Sequence, residues 1–464
     1  MSDLPPPERP IARAGRHLDR DVRSAVFFLA LPVLCEQFLV FCVGFYDTFL
    51  SGQIDARATT AIGLAAYVGW LASMMFGLVN IGTTALVARN WGAGQFREAN
   101  LVLNRSITLA AGFGLAVAIA VWLLAPALAT ILGMDGSTAA VVVRYLRIDA
   151  FGHPFTACLL AGAGALRGAG DMRTPMWVLG GISVTNVIAS TLFVFGIGPI
   201  APLGIDGIVL GTITAKGLGG LAMMCVLARG IDRLKLDRNE MSPFGPIVKR
   251  ILRIGVPGVI DGGVMWAGQL MFLMVISRLS HGEFGSAIFA AHIVGIQIEA
   301  ITYLPAVAWG RAAATLVGQS LGAGRPDRAR QYGHEAVVQC SMLAVLITAT
   351  FYFGADSIYH LMHEDPAVRV VGIPAFRLLA LFQWPLVVAI IYVFALRGAG
   401  DTRTPMIITM IGVLGVRVPV AYLCGVVWNG GLLGAWIGMC VDISVRSILV
   451  SLWYHFGKWE RTNV

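Results

Sequence analysis

LRGAGDMRTPM at residues 166–176 recurs as LRGAGDTRTPM at residues 396–406, 230 positions further along the chain. A second pair keeps the same register. Leu86-Val87 with Gly92-Ala93-Gly94 stands against Leu316-Val317 with Gly322-Ala323-Gly324. Two separated blocks in one register mark an internal duplication. In an apolar chain, such duplication points to a membrane transporter built from two lobes.

Composition fixes the solvent. Hydrophobic residues make up 57% of the 464, charged residues 13%, and mean hydropathy is +0.76. A water-soluble domain needs far more polar surface. Crossing a bilayer takes roughly 20 apolar residues per helix. Twelve stretches qualify, near 25–50, 61–88, 106–131, 139–165, 175–196, 205–228, 250–277, 286–317, 333–354, 368–396, 405–427 and 432–456. They are too long and too continuously apolar for outer-membrane strands. The expected fold is all-α, with twelve transmembrane helices in two six-helix lobes.

Charge sets the expected orientation. Twenty-four Lys and Arg fall in the N-terminal tail and every second loop after it, whereas the alternate loops hold three, Arg57, Arg278 and Arg369. The positive-inside rule places both termini in the cytoplasm and makes the span count even. The net charge of +8 is therefore a topology signal, and no compact basic face for nucleic acid exists outside these loops. The seven cysteines all fall in apolar spans without CxxC spacing, which argues against disulfides and structural zinc. The polar start and the long first span argue against a cleaved leader.

The expected division is a cytoplasmic tail (1–24), a first lobe (25–231), a polar linker (232–246) and a second lobe (247–464). With six spans per repeat, both copies enter the membrane in the same direction. The lobes should then be related by a two-fold axis along the membrane normal, with a cavity between them. In the repeated motif, Gly168, Gly170, Gly398 and Gly400 suit tight turns. Asp171 or Thr174 is placed to cap the next helix, with Pro175 in its first turn. This reads as a short loop between helices.

No GxxxxGK[ST] or HExxH pattern is present. Candidate chemistry lies where polar groups enter apolar spans, because an ionisable group at mid-span costs on the order of 3 kcal/mol or more. Asp47, apolar on both sides, is a candidate proton or sodium carrier; the alternative is an aspartate facing water at the end of span 1. Asn186 in span 5 has Ser183 and Ser190 one turn to either side on the same face. It offers a carbonyl to a cation, or an ordinary interhelical hydrogen bond. Thr212 is a further polar candidate in span 6.

In the second lobe Glu299 either faces a substrate cavity or pairs with one of Arg311, Arg377, Arg417 and Arg446. Asp261, Gln269, His292 and Gln383 are its candidate neighbours. Asp442 and Arg446, four apart, fit a local ion pair. Arg147 and Arg377, again 230 apart, fit snorkelling to the interface. Asp149 has an arginine or His153 as candidate partner. Met74, Met75, Met223, Met224, Met265, Met271 and Met274 offer a soft lining or ordinary packing.

Twelve spans, the duplicated LRGAGDxRTP, LVGQSLGAG at residues 316–324 and Asp47-Thr48-Phe49-Leu50-Ser51-Gly52 together resemble the multidrug and toxic compound extrusion (MATE) family over nearly the whole chain. The resemblance implies an inner-membrane antiporter, without a cofactor and acting as a monomer. It would export organic cations or drugs against proton or sodium entry by alternating access of the lobes. It assigns Asp47 to the coupling aspartate of span 1, Asn186 to the span 5 asparagine and Thr212 to the span 6 threonine of the cation site. Ser190 stands where the family often has an aspartate. Span 10 lacks an acid, and Asp261 lies too close to Pro257 to match the family's span 7 glutamate. The resemblance is therefore nearest the DinF-like branch, which relies on the first lobe. One carboxylate beside neutral oxygens favours a proton over Na+ at Asp47 and Asn186. The rival readings are a flippase of lipid-linked oligosaccharides, which needs a cavity rich in arginine and lysine, and an intramembrane enzyme, for which Asp149 with His153 is the best dyad.

Overall fold

The computed structural model describes residues 21–52, 56–131, 134, 136–196, 201–280 and 285–462. The tail bearing Arg9, Arg13, Arg16 and Arg20 lies outside them, as does the side chain of Arg57. Every long element among these residues is helical. The first lobe comprises α1 (Val22–Gly52), α2 (Ala56–Gly92), α3 (Phe96–Ile131), α4 (Gly136–Ala150), α5 (His153–Gly168), α6 (Arg173–Phe195) and α7 (Ile205–Arg229). The second comprises α8 (Pro246–Leu279), α9 (Gly285–Gly322), α10 (Pro326–Met362), α11 (Pro366–Ala380), α12 (Gln383–Gly398), α13 (Arg403–Met410), α14 (Val418–Tyr422) and α15 (Gly431–Phe456). Two π-helical stretches, Ile411–Arg417 and Leu423–Val427, flank α14 and join it to α13 in one continuous span.

Ten of these spans are each long and apolar enough to cross a membrane, and α11 with α12, bent by 53°, makes an eleventh. The twelfth is α4 with α5, interrupted at Phe151 and Gly152, 230 residues before the break at Leu381 and Phe382. The twelve expected spans are thus present, but the fourth and tenth are broken. Their short first halves carry Arg147 and Arg377. The two guanidinium groups reach equivalent carbonyls, Trp122 O at 3.3 Å and Tyr352 O at 3.4 Å.

The repeat is visible in backbone detail. Gly94 and Gly324 share φ of 71°, and Gly170 and Gly400 have φ of 94° and 91°; only glycine takes such turns without strain. Asp171 Oδ1 accepts from the Arg173 and Thr174 amides, both at 3.0 Å, and Asp401 Oδ1 from the Thr404 amide at 3.1 Å. The aspartate of the motif is therefore the cap. Gly168 and Gly398 are not turn glycines. They lie in the last turns of α5 and α12, where an added Cβ would stand 2.9 Å from Thr84 O and 2.1 Å from Ala314 O.

The lobes meet at the end of the bundle that carries the basic loops. There α2 and α9 cross at paired glycines. A Cβ on Gly92 would stand 1.9 Å from Gln319 O, and one on Gly322 2.0 Å from Arg89 O. Side chains stitch the same seam: Thr315 donates to Arg167 O at 3.0 Å, Gln319 to Gly168 O at 2.8 Å and Arg89 to Ala399 O at 3.4 Å. Between the lobes, the connection folds onto α3. Asn104 accepts from the Asp237 amide at 2.9 Å and donates to Lys235 O at 3.1 Å and Glu240 at 3.2 Å.

This seam makes a prediction. Gly92→Val should force α2 and α9 apart, lowering the unfolding midpoint by the equivalent of at least ~1–3 kcal/mol for an overpacked contact. Gly112→Val, at a position with nothing within 4 Å, should leave the midpoint near wild type. Equal midpoints for the two variants would contradict the seam.

Candidate functional site

Three elements of the first lobe bring the expected residues to one level. Because Gly211 has no side chain, α7 lies directly on α6; a Cβ there would stand 2.3 Å from Ser190 Oγ. That approach lets the Asn186 amide donate to Thr212 Oγ1 at 3.1 Å, while Thr212 donates to Ile208 O at 3.0 Å. Tyr46 and Thr191 hydroxyls lie 2.6 Å apart and hold α1 to α6 beside Asp47. Two buried acceptors are left without a partner, Asp47 Oδ1 and Asn186 Oδ1. A buried oxygen without a donor is costly, and a proton or cation relieves that cost. Lys216 lies within electrostatic range of Asp47.

Ser190 is drawn out of this group. It is fully buried, and its hydroxyl turns to Ile208 O at 3.5 Å. The oxygens left without a partner are thus Asp47 Oδ1 and Asn186 Oδ1, and the Asn186 amide is held by the Thr212 hydroxyl. No cluster of three His, Cys, Asp or Glu suited to a metal occurs among the described residues.

Several second-lobe expectations need correction. Glu299 is buried, yet no hydrogen bond or ion pair reaches it among the described residues; Arg417 and Arg446 act on it only at longer range. The four arginines offered as its partners are engaged elsewhere: Arg311 with Glu36, Arg377 with Asp356, Arg417 and Arg446 with Asp442. The expected Asp442–Arg446 pair is present, with Arg417 as a third member. His292 is a core residue. It is 1% exposed, accepts from Trp436 Nε1 at 3.3 Å and packs against Phe272. Gln383 is fully buried in the first turn of α12, its amide donating to Leu379 O at 2.9 Å. Gln269 is half-buried and lines neither interior cavity of the bundle centre. Asp261 does line one, inside the second lobe, together with Met265, Tyr303, Arg397, Thr409 and Arg446. The Met265 sulfur accepts from Arg446 there, whereas Met223 is packed in the core and Met274 is exposed on the outer surface. In the first lobe Asp149 pairs with Lys216 at 2.6 Å, not with an arginine, and His153 stands 4.0 Å away.

The sequence reading missed the strongest charged cluster. Glu36 in α1 is 3% exposed. Both its oxygens accept from Arg167 Nη2 at 2.7 Å, and Oε1 also accepts from Arg311 Nη1 at 2.8 Å. Arg167 belongs to the first copy of the repeated motif, and Arg311 comes from α9, so the carboxylate bridges the lobes. The second motif arginine, Arg397, pairs with Asp261. A signal was available: Glu36 follows Pro32 by four residues, and Asp261 follows Pro257 by four. Each lobe therefore clamps an acid of its first helix with the arginine of its own motif.

The lobes differ at the level of Asn186. The Ser190–Gly211 crossing has its counterpart in Ala421–Gly438, where a Cβ on Gly438 would stand 2.4 Å from Ala421 N. Ser190 and Ala421 are 231 apart, one more than the motif offset. The π-helical stretch Ile411–Arg417 between them accommodates the extra residue, as π-bulges do. Asn186, four before Ser190, then corresponds to Arg417, four before Ala421. The second lobe thus fills this position with its own guanidinium, bound to Asp442 at 2.7 Å.

Two repeated six-span lobes carrying polar clusters inside apolar spans define a membrane transporter by architecture. The MatE family profile matches residues 32–192 and again 264–423, once in each lobe, and the chain belongs to the MATE family. A relative described as a probable multidrug resistance protein NorM, from Thermotoga maritima, is 28% identical over 445 residues, covering 96% of this chain and 94% of that one. A solved transporter of the MOP superfamily from Pyrococcus furiosus, described as having a binding pocket of reverse polarity that suggests a different function, superposes with a TM-score of 0.89 at 20% identity. The match covers 98% of this chain and all of that one. An outward-facing MATE transporter superposes with the same score, identity and coverage.

Glu36→Ala should be strongly destabilising, by ~3–5 kcal/mol, because it leaves the buried Arg167 guanidinium unmatched and the partly buried Arg311 without its partner. Replacing the cluster together (Glu36→Gln, Arg167→Met, Arg311→Met) should recover much of that loss. Unfolding midpoints of the purified proteins decide the matter, and a harmless Glu36→Ala would remove the cluster from its bridging role.

Proposed function

We propose that this chain is a secondary multidrug efflux antiporter that exports organic cations by alternating access in exchange for protons, with Na+ as the alternative coupling ion. The observation that carries the reading is the pair of buried, unpartnered acceptors at Asp47 and Asn186. Sodium prefers several oxygen ligands, and this group supplies one carboxylate, one amide oxygen and one hydroxyl already engaged with Asn186. A proton needs only the carboxylate. The equivalent position of the second lobe holds Arg417, which favours coupling through the first lobe, as in the DinF-like branch. Membership of the family and likeness to a NorM protein support the drug-export reading.

The proposed cycle rests on Asp47 and on the bridge between the lobes. Asp47 takes a proton on the outer side, loses its charge and lets α1 repack against α6, and the cationic cargo leaves. The Glu36–Arg311 bridge and the glycine seam then part as the lobes rock. The proton passes to the cytoplasm and the cavity again favours a cation. Both termini lie in the cytoplasm, the carrier resides in the inner membrane among its lipids, and the monomer suffices. Binding energy for cargo comes from apolar walls and from the unpaired carboxylate of Glu299. An intramembrane enzyme loses its best dyad, because Lys216 already takes Asp149.

Dye efflux in everted vesicles tests this reading. An imposed proton gradient should drive export in the wild type, and Asp47→Asn should abolish it with protein levels unchanged. Wild-type efflux in Asp47→Asn would sink the scheme. Export driven by sodium alone would move the coupling to a cation held by Asp47, Asn186 and Thr212.

A further inference from the structure

On the pseudo-two-fold axis, where α2, α5, α9 and α12 meet, lies a cavity of about 60 Å³. Its position on the axis follows from its walls. Ile81 and Arg311, Thr84 and Ala314, Ala85 and Thr315, and Arg167 and Arg397 are four pairs of residues 230 apart, and all eight line it. Three of them are arginines. The charges associated with these walls are Arg167, Arg311 and Arg397 against Glu36 and Asp261, which leaves one positive charge in excess.

The donors are not exhausted. Arg167 Nε and Arg397 Nε are both buried and make no hydrogen bond, although each guanidinium is already ion-paired through another nitrogen. Arginine side chains are 4% exposed at Arg167 and 18% at Arg397. Asn80 adds an amide to the wall and Phe394 an apolar face. Planar guanidinium groups present forked N–H donors that match a carboxylate or a phosphate. An anion here would meet guanidinium donors on the walls and neutralise the excess charge.

We propose that this axial cavity is a binding site for an oxyanion group, a carboxylate or phosphate, held between the two motif arginines and Arg311. The site does not depend on the export reading above. It sits at the seam of the closed lobes and faces a cationic cargo with repulsion, so its occupant is acidic. The group arrives either as a free anion or as the headgroup of an anionic lipid.

The test uses the full chain, purified in lipid-free detergent and titrated with inorganic phosphate at constant ionic strength while its unfolding midpoint is followed. A saturable rise is expected. Asn80→Asp brings a carboxylate into the cavity without touching any ion pair, and it should weaken the phosphate response at least ten-fold. Should that variant fail to fold, Thr84→Asp, one turn along the same wall, serves in its place. A second arm places the protein in nanodiscs of zwitterionic lipid with or without phosphatidylglycerol. Protection by phosphate assigns a free anion, and protection by phosphatidylglycerol alone assigns a headgroup; either supports the site provided the wall variant loses it. No saturable response to either probe, or an undiminished response in the variant, overturns it. Because no transport is read, failure of this site leaves the antiport reading untouched.

Discussion

A charge buried in a membrane bundle has to be matched, and in this molecule the matching holds the two lobes together. Glu36 stands in an apolar helix and needs more than one donor. Arg167 from its own lobe and Arg311 from the other supply them. An unmatched ion at this depth costs several kcal/mol, so the two lobes are drawn to the same point. The glycine crossings of α2 and α9 follow from that approach, since a side chain at Gly92 or Gly322 would hold the backbones apart. The contact continues along α2 and α8 of opposite lobes, from Gly82 against Ile251 to Trp70 stacked on Trp266.

The duplication supplies symmetry, and one inserted residue breaks it. Both lobes clamp an acid of the first helix with the motif arginine, and both cross their last two spans at a glycine. The π-helical stretch before Arg417 shifts the register by one. It delivers a guanidinium where the first lobe has Asn186. The second lobe thus carries a permanent internal cation bound by Asp442, while the first keeps two acceptors open. The same architecture thus places an amide at this position in one lobe and an ion-paired guanidinium in the other.

Polar groups along the centre fall into three levels. The first-lobe group at Asp47 offers free acceptors, Glu299 holds a buried carboxylate without an ion-paired partner, and the axial cavity presents arginines. Open acceptors and guanidinium donors thus occur in separate groups.

Much of this was legible in the chain. The span count, the two lobes and a helix cap at the repeated motif all depend on local pattern: hydrophobic length, a repeat register and helical spacing, whereas the grouping of Asn186 with Thr212 came from the family resemblance. Asp47 stood out because an acid amid apolar residues is expensive wherever the helix points. Other sites depended on which way a helix faces once it packs. Arg167 and Arg397 looked like loop residues because they follow apolar spans, yet they lie in the last helical turns and face inward. Glu36 was passed over although its spacing from Pro32 matches that of Asp261 from Pro257. His292 and Gln383 resembled cavity residues but are spent on Trp436 and on a helix start. The sequence alone determined how many times the chain crosses the membrane and that it does so in two copies, because burial of apolar length is a property of each segment. Only the tertiary structure decided which charges meet across those copies, because an ion pair is a property of two rotated helices and neither sequence stretch contains the angle between them.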